Sequence, residues 1–247
     1  MKKKRLHLID EYRGWVVLHM IAYHAIWDLV YIFGQNWRWY KSDIGFVWQQ
    51  WICWSFILVS GFCWKMGRHP FKRGILVYGA GVVISLVTIL AMPESRVVFG
   101  VLTLLGSSML LLIPLDVILQ KIPAVIGGII SFATFLFTYS VNRGYVGFGK
   151  IPLFFLPKEW YMNGFTTYLG FTEKGFFSTD YFSIIPWFFL FVTGYFAYQF
   201  YSKKELKCLE TSYCSSLGWI GKHALLIYML HQPVIYGVLY IWFQIIN

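Results

Sequence analysis

The chain has 247 residues, of which 58% are hydrophobic, 21% are aromatic and only 13% are charged. This composition excludes an ordinary water-soluble domain, in which about a quarter of the residues carry a charge. The net charge of +10 would suggest nucleic acid as the partner of a soluble protein. Here the basic residues cluster in the connections between apolar runs, where they set membrane topology, so a nucleic-acid partner is not implied.

Seven apolar runs follow one another along the chain, each long enough to cross a hydrocarbon core of about 30 Å. They cover residues 14–34, 44–66, 74–92, 97–119, 123–141, 181–201 and 223–245. We therefore expect an all-α, polytopic membrane helix bundle of about seven transmembrane helices. The lipid bilayer is an expected partner of such a bundle. Residues 1–247 are expected to form a single domain.

The connections between the runs alternate in charge, which predicts the orientation of the chain. One side receives four basic groups, namely Lys2 to Arg5, then Lys65, Arg68, Lys72 and Arg73, then Lys121, and then Lys203, Lys204 and Lys207. That side is expected to be cytoplasmic, with the N-terminus inside and the C-terminus outside. The long outer connection, residues 142–180, is expected to dip back into the membrane or to lie at its interface.

Two acidic residues near the ends of spans are expected to have structural roles. Asp180 precedes the sixth span, and an acidic residue at a helix start complements the helix dipole, so we expect it to cap that helix. Asp116 lies near the cytoplasmic end of the fourth span and is expected to reach the interface or to pair with Lys121.

The first span carries a row of polar residues on one face. Eleven residues make about three helical turns and four make about one, so Asp10, Arg13, His24 and Asp28 share a narrow stripe. At a rise of ~1.5 Å per residue, Arg13 lies at the cytoplasmic boundary and His24 lies near mid-membrane. Ionisable groups at that depth are costly, which favours a functional site over simple helix packing. Asp10 and Arg13 are equally consistent with an ion pair that anchors the helix.

Asp28 lies one turn beyond His24, where its carboxylate would fix the tautomer of the imidazole and strengthen it as a general base. The last span places His231 at a similar depth, and Gln232 and Pro233 follow it. If the first and last helices are neighbours, these four polar residues converge on one cavity. Gln232 is also consistent with a structural role, in which it satisfies backbone carbonyls that Pro233 frees.

Several motifs resemble those of a known family. They are Arg5 to Gly14 with His24 and Asp28, then Phe99 to Leu102, then Asp180 to Phe182 with Ile185 to Phe188 and Gly194, and finally Leu226 to Pro233. In order and spacing they resemble bacterial membrane proteins related to the heparan-alpha-glucosaminide N-acetyltransferase catalytic domain. The spacing of Arg13 and His24 also resembles the Arg-x10-His signature of the wider transmembrane acyltransferase superfamily. The chain departs from the family at Thr103, where a histidine is usual, and lacks a clear counterpart of the glycine-rich outer loop and its histidine between Gly34 and Gln50.

The resemblance implies transfer of an acyl group, usually acetyl from cytoplasmic acetyl-CoA, to a hydroxyl or amine of an extracytoplasmic sugar or glycan, in a bacterial cell membrane. His24, oriented by Asp28, would then be the general base, and His231 or Gln232 would stabilise the oxyanion. The residues expected to hold the acyl-CoA are Arg13 with its neighbour Asp10, then Lys222, and the basic loop of Arg68, Lys72 and Arg73.

Three other interpretations of the sequence stay open. A proton-linked carrier or exporter of small solutes would use His24, Asp28 and His231 as a relay. A non-catalytic membrane partner would keep the bundle without the chemistry. A metal site made of the same three residues is chemically feasible, but nothing in the spacing demands it. Assembly into a homo-oligomer is compatible with all of these interpretations.

Overall fold

The computed structural model describes residues 5–204 and 207–246, so Lys2, Lys3 and Lys4 of the basic N-terminus lie outside the described residues. The described chain is largely helical. Its α-helices are α1 (His7–Tyr31), α2 (Asp43–Phe62), α3 (Pro70–Ala91), α4 (Val101–Leu119), α5 (Ala124–Thr138), α6 (Gly164–Leu169), α7 (Ile184–Lys204), α8 (Ser215–Lys222) and α9 (Ala224–Ile241). Two strands, β1 (Tyr145–Phe148) and β2 (Ile151–Phe155), form an antiparallel hairpin between α5 and α6.

Six helical segments are long and apolar enough to cross a membrane. They are Asp43–Met66, Pro70–Ala91, Val101–Leu119, Ala124–Arg143, Ile184–Lys204 and Ala224–Gln244. The prediction of a polytopic all-α membrane bundle is confirmed, and these segments correspond to the second to seventh predicted spans. The first predicted span lies mostly in α1, which has 25 residues but a more polar composition than the other six. Its place in the membrane stays a prediction.

The described residues divide into two compact units, and a single domain over residues 1–247 stays a prediction. The first unit holds residues 5–56 and 207–246, and the second holds residues 57–204. Helix α2 contributes its first part to the first unit and its last turns to the second.

In the first unit, α1 packs against α8 and α9. The backbones of α1 and α8 approach closely because glycines face each other. A Cβ atom added to Gly14 would lie 2.0 Å from the carbonyl oxygen of Leu217, and one added to Gly221 would lie 1.8 Å from that of Asp10. Small residues that allow such approach are characteristic of helix contacts in membranes.

The second unit is held together by helix pairs, in which α3 packs on α4, α5 on α7 and α4 on α7. Its core contains large side chains that are fully buried, among them Leu104, Phe135, Phe191 and Tyr195. Because protein interiors are close-packed, such side chains fix how the helices fit together.

A polar cross-link joins three elements of the second unit. Lys65 Nζ lies 2.9 Å from Asp116 Oδ1, the hydroxyl of Tyr195 donates to the same oxygen at 2.5 Å, and Gln199 donates to the Tyr195 hydroxyl at 3.0 Å. Asp116 therefore pairs with Lys65 and not with the predicted Lys121. The reason is that the turn after α2 lies against α4, where the indole of Trp64 donates to the carbonyl of Met109 at 3.0 Å.

The long connection between α5 and α7 has secondary structure of its own. It contains the β-hairpin and then the short helix α6, whose start is fixed by a capping box between Asn163 and Thr166. Its location at the membrane interface stays a prediction.

Asp180 caps a helix, but not the one that the sequence suggested. Its Oδ2 accepts a hydrogen bond from the backbone N–H of Val101 at 3.1 Å, at the start of α4 and not of α7. The cause is the course of the chain, because Thr179 N–H donates to Arg96 and Phe182 N–H donates to Phe99. Because of these hydrogen bonds, the segment before α7 lies alongside the segment before α4. Burial raises the pKa of Asp180 to about 6, although the Val101 hydrogen bond opposes the shift.

The raised pKa of Asp180 predicts a specific pH dependence of stability. A folded-state pKa above the ordinary value gives stability that is fully present below pH 4 and is lost as the pH rises through 6. We expect Asp180→Asn, which keeps an oxygen for the cap, to be more stable than the wild type at pH 7.5 by about 1 kcal/mol. That advantage should shrink as the pH falls to 4. Thermal unfolding in detergent across this range measures it, and a constant difference would contradict the shift.

The glycine contact between α1 and α8 gives a second prediction. Gly221→Ala would force a methyl group into the α1 backbone, and we expect it to destabilise the protein by more than about 2 kcal/mol. The matched control is Gly218→Ala on the same helix, where an added Cβ meets the side chain of Glu11 at an ordinary 3.6 Å. It should be neutral or slightly stabilising. Equal effects of the two substitutions in an unfolding assay would rule out the close approach as the cause.

Candidate functional site on the first and last long helices

The four polar residues that the sequence places at mid-membrane depth come together in the first unit. His24 and Asp28 lie on α1, and His231 and Gln232 lie on α9. The imidazole rings of His24 and His231 meet edge to face, with 4.9 Å between their centroids. Gln232 Nε2 donates a hydrogen bond of 2.6 Å to Asp28 Oδ1. The first and last long helices are therefore neighbours, which was the condition for these four residues to converge.

The glycine contact explains why the two histidines meet. His24 lies ten residues beyond Gly14 on α1, and His231 lies ten residues beyond Gly221 through α8 and α9. Helical residues rise ~1.5 Å each, so both segments advance a similar distance, about 15 Å, from the same contact. The two histidines therefore reach the same level along the pair of helices.

Asp28 does not orient His24, which corrects the expected arrangement. One oxygen of the Asp28 carboxylate accepts from Gln232, and the other has no hydrogen-bond partner among the described residues. The amide of Gln232, on a helix that is distant in sequence, donates the hydrogen bond to Asp28 that was expected from the imidazole of His24. Gln232 likewise does not serve the backbone carbonyls near Pro233, which was its alternative role.

His231 is the histidine whose orientation is fixed. Its Nδ1 lies 2.6 Å from the backbone carbonyl oxygen of Tyr228. A carbonyl oxygen only accepts hydrogen bonds, so Nδ1 carries the proton, and the neutral ring has its lone pair on Nε2. Tyr228 thus does for His231 what Asp28 was expected to do for His24. A backbone group has no signature in the sequence, so this partner could not be predicted.

Three polar atoms of the site are buried and have no hydrogen-bond partner among the described residues. They are Asp28 Oδ2, Gln232 Oε1 and His231 Nε2. Each is an acceptor, and Asp28 is completely buried. Buried polar atoms in proteins are nearly always paired, because leaving one unpaired costs about 1–3 kcal/mol. Such a group of acceptors suits a ligand or reacting group that brings hydrogen-bond donors.

The N-terminal end of α1 carries a second polar cluster. Asp10 Oδ2 accepts a hydrogen bond from Arg5 Nε at 2.9 Å, and Asp10 Oδ1 lies 3.5 Å from Arg13 Nη1. Arg13 also donates to the backbone carbonyl of Gly221 at 3.3 Å. Arg13 therefore ties α1 to α8, and any role in binding a substrate comes in addition to this contact.

Glu11 is a buried acidic residue that the sequence pattern did not indicate. This residue is only 4% exposed, and its carboxylate accepts from the hydroxyl of Ser212 at 2.6 Å and from the backbone N–H of Tyr213 at 2.9 Å. The Ser212 hydrogen bond is the main reason that the pKa of Glu11 lies below its ordinary value. Its acidic side chain near the start of α1 was the available signal, but the partner segment before α8 is some two hundred residues away in the chain.

The remaining basic residues of the predicted acyl-CoA site lie in different units. Lys222 ends α8 in the first unit and is exposed. Arg68, Lys72 and Arg73 belong to the second unit, where Arg73 donates to the carbonyl of Trp64 at 3.2 Å. Within the described ranges, His24, Asp28 and His231 do not form a group that could hold a metal ion.

The fold and this site define a helical membrane protein in which two neighbouring helices bring together a pair of histidines in ring contact and a carboxylate that is hydrogen-bonded to an amide. Comparison with known families then identifies the group. Residues 5–233 match the model of the heparan-alpha-glucosaminide N-acetyltransferase catalytic family, so the chain belongs to that family. Membership indicates a membrane acetyltransferase. Neither curated proteins nor solved structures gave a match.

The pairing of Gln232 with Asp28 predicts strong energetic coupling. Gln232→Leu would leave a buried carboxylate without a partner, and Asp28→Leu would do the same to the amide, so each should cost about 1–3 kcal/mol. The double substitution should cost clearly less than the sum of the two, because it removes both polar groups. A double-mutant cycle by unfolding in mixed detergent micelles measures the coupling. Additive costs would show that the hydrogen bond contributes nothing to stability.

Proposed function

We propose that the protein is a membrane acetyltransferase whose reacting site is the His24, Asp28, His231 and Gln232 cluster. It would take the acetyl group of acetyl-CoA and transfer it to a hydroxyl or amine of a sugar or glycan acceptor. Family membership supports the reaction class. The observation that carries the assignment of the site is the buried, unpartnered Nε2 of a histidine whose other nitrogen is held by a carbonyl.

His231 is the general base in this proposal. The oxygen or nitrogen atom of the acceptor attacks the thioester carbonyl carbon, and Nε2 of His231 takes the proton that the acceptor loses. The tetrahedral intermediate then collapses, the bond between carbon and sulfur breaks, and the proton passes from His231 to the leaving thiolate. The acceptor gains the acetyl group and coenzyme A leaves as the thiol, so no further reactant is needed.

The other three residues support that proton transfer. His24 touches the ring of His231 and would donate an N–H to the oxyanion, a role that the sequence analysis gave to His231 or Gln232. The Asp28 carboxylate favours the positive charge that His231 carries after it takes the proton. Gln232 fixes Asp28 through their hydrogen bond and so acts as a positioning residue.

The phosphates of acetyl-CoA would lie near the N-terminal end of α1. Arg13 and Lys222 are the cations proposed for them in the first unit, since guanidinium and ammonium groups both bind phosphate. Asp10 is a proposed part of this site because its charge is shared between Arg5 and Arg13, which also sets the direction of Arg13. The basic loop of the second unit stays a prediction. We place the reaction in a bacterial cell membrane, with the donor on the cytoplasmic side.

A proton-linked carrier is the second candidate. The contact between His24 and His231, together with the unpartnered carboxylate oxygen of Asp28, favours it, because a proton relay needs adjacent titratable groups near the midplane. This candidate requires no coenzyme A and predicts solute flux that depends on pH.

The base assignment is tested by thiol release from acetyl-CoA, with glucosamine and glucose as trial acceptors. His231→Ala should lower turnover by about 10²- to 10⁴-fold while calorimetric binding of acetyl-CoA persists. His24→Ala should cost less, and Arg13→Ala should weaken binding more than turnover at saturation. The matched control is His223→Ala, which removes an exposed histidine outside the cluster.

Three outcomes would overturn parts of this proposal. Full turnover by His231→Ala would remove His231 from the base role. A larger loss with His24→Ala than with His231→Ala would restore His24 as the base. Failure of folded wild-type protein to bind acetyl-CoA would favour the carrier, or a non-catalytic membrane partner if no proton-dependent flux is found.

A further inference from the structure

Strand β2 exposes an unusual amount of apolar surface outside the membrane spans. All five of its residues are exposed, and the fractions are 66% for Ile151, 53% for Leu153, 65% for Phe154 and 79% for Phe155. The span before it ends at Arg143, and the next begins at Ile184. The bilayer core that covers the apolar helices therefore does not account for this strand. A contiguous apolar patch of this kind marks a contact with a partner or a membrane.

We propose that β2 binds the lipid–water interface of the bilayer that the helices cross, with its aromatic side chains inserted among the lipid headgroups. This surface, defined by residues 151–155, is called the β2 face below. The proposal concerns membrane contact alone and stands whether or not the proposed chemistry is correct.

The position of the hairpin supports this occupant. Strand β1 begins two residues after the span that includes α5 ends, and it packs against α5. The rings of Phe137 on α5 and Phe148 on β1 have centroids 5.8 Å apart, and the hydroxyl of Ser140 donates to the carbonyl of Gly149 at 3.2 Å. The hairpin is thus tied to the end of a membrane span, which is where the bilayer surface lies.

The charges around the β2 face fit lipid headgroups. Lys150 precedes the strand and Lys158 follows it, and the nearest acidic residue, Glu159, comes only after Lys158. Basic residues beside exposed aromatic side chains are the usual composition of segments that lie in the interface, because the cations bind lipid phosphates.

The backbone sets the depth of insertion. Within the described chain, β2 pairs with β1 alone, so its other edge has unpaired N–H and C=O groups. Such an edge is too costly in hydrocarbon but is satisfied by water and headgroups at the interface. Pro152 lacks a backbone N–H, and a strand that contains proline pairs less favourably with a strand of a second protein copy.

The experiment places a fluorescent NBD label on the β2 face in lipid nanodiscs that hold one copy of the full chain. Phe154→Cys is made in a background in which Cys53, Cys63, Cys208 and Cys214 are replaced by serine, and it is labelled there. The matched control is Lys174→Cys, at an exposed position of the same connection outside the hairpin. Emission is recorded with phosphatidylcholine alone, with added phosphatidylglycerol, and with lipids that carry a nitroxide at a shallow depth.

We expect the label at position 154 to emit at shorter wavelength than the control and to be quenched at least twofold more by the shallow nitroxide lipid. Adding Lys150→Glu and Lys158→Glu should reduce that quenching in discs that contain phosphatidylglycerol. Quenching of position 154 by aqueous iodide to the same extent as position 174 would overturn the proposal. A blue shift that appears only in discs holding two copies would also overturn it and would assign the β2 face to self-association.

Discussion

The close approach of α1 to α8 is the constraint on which the candidate site depends. Gly14 and Gly221 let the two backbones touch, and Arg13 reinforces the contact through the carbonyl of Gly221. Helix α9 begins two residues after α8 ends, so the contact also fixes where α9 starts. The spacing of ten residues from glycine to histidine is equal in the two segments, and it then determines that His24 meets His231. A side chain at either glycine would separate the helices, and the polar groups beyond it would lose their partners.

The apolar surroundings give each polar contact of the site a large weight. An imidazole or a carboxylate in such surroundings cannot rely on water, so its protein partner decides its orientation and its proton. His231 has such a partner in the Tyr228 carbonyl, and Asp28 has one in Gln232. The atoms of the site that have no partner among the described residues are all hydrogen-bond acceptors, so a ligand that donates hydrogen bonds would satisfy them. The hydroxyl or amine of the proposed acceptor would meet that need, and this agreement supports the proposed reaction.

Much of the fold could be predicted from the sequence, because long apolar runs have few alternatives in a membrane. The stripe of Asp10, Arg13, His24 and Asp28 could also be predicted, since helical periodicity alone places those residues on one face. Partners that come from distant segments could not. Asp28 binds Gln232 and not its neighbour His24, Glu11 binds the segment before α8, and Asp180 caps α4 and not α7. For Asp28 and Asp180 the local rule named a plausible role nearby and tertiary packing supplied a different one, whereas no partner was predicted for Glu11.

The hydrogen bond between His231 and Tyr228 has a consequence for the electrical behaviour of the reaction. With Nδ1 held by a carbonyl, a proton that arrives at Nε2 has no route out through the opposite side of the ring. It leaves by the side on which it entered, with the departing thiol. On the proposed mechanism, that proton passes from the acceptor to the thiol while the acetyl group passes the opposite way, so each catalytic cycle carries no net charge through the bilayer, and the membrane voltage neither drives nor opposes turnover. Cleavage of the thioester alone would drive the acetyl group across the hydrophobic layer.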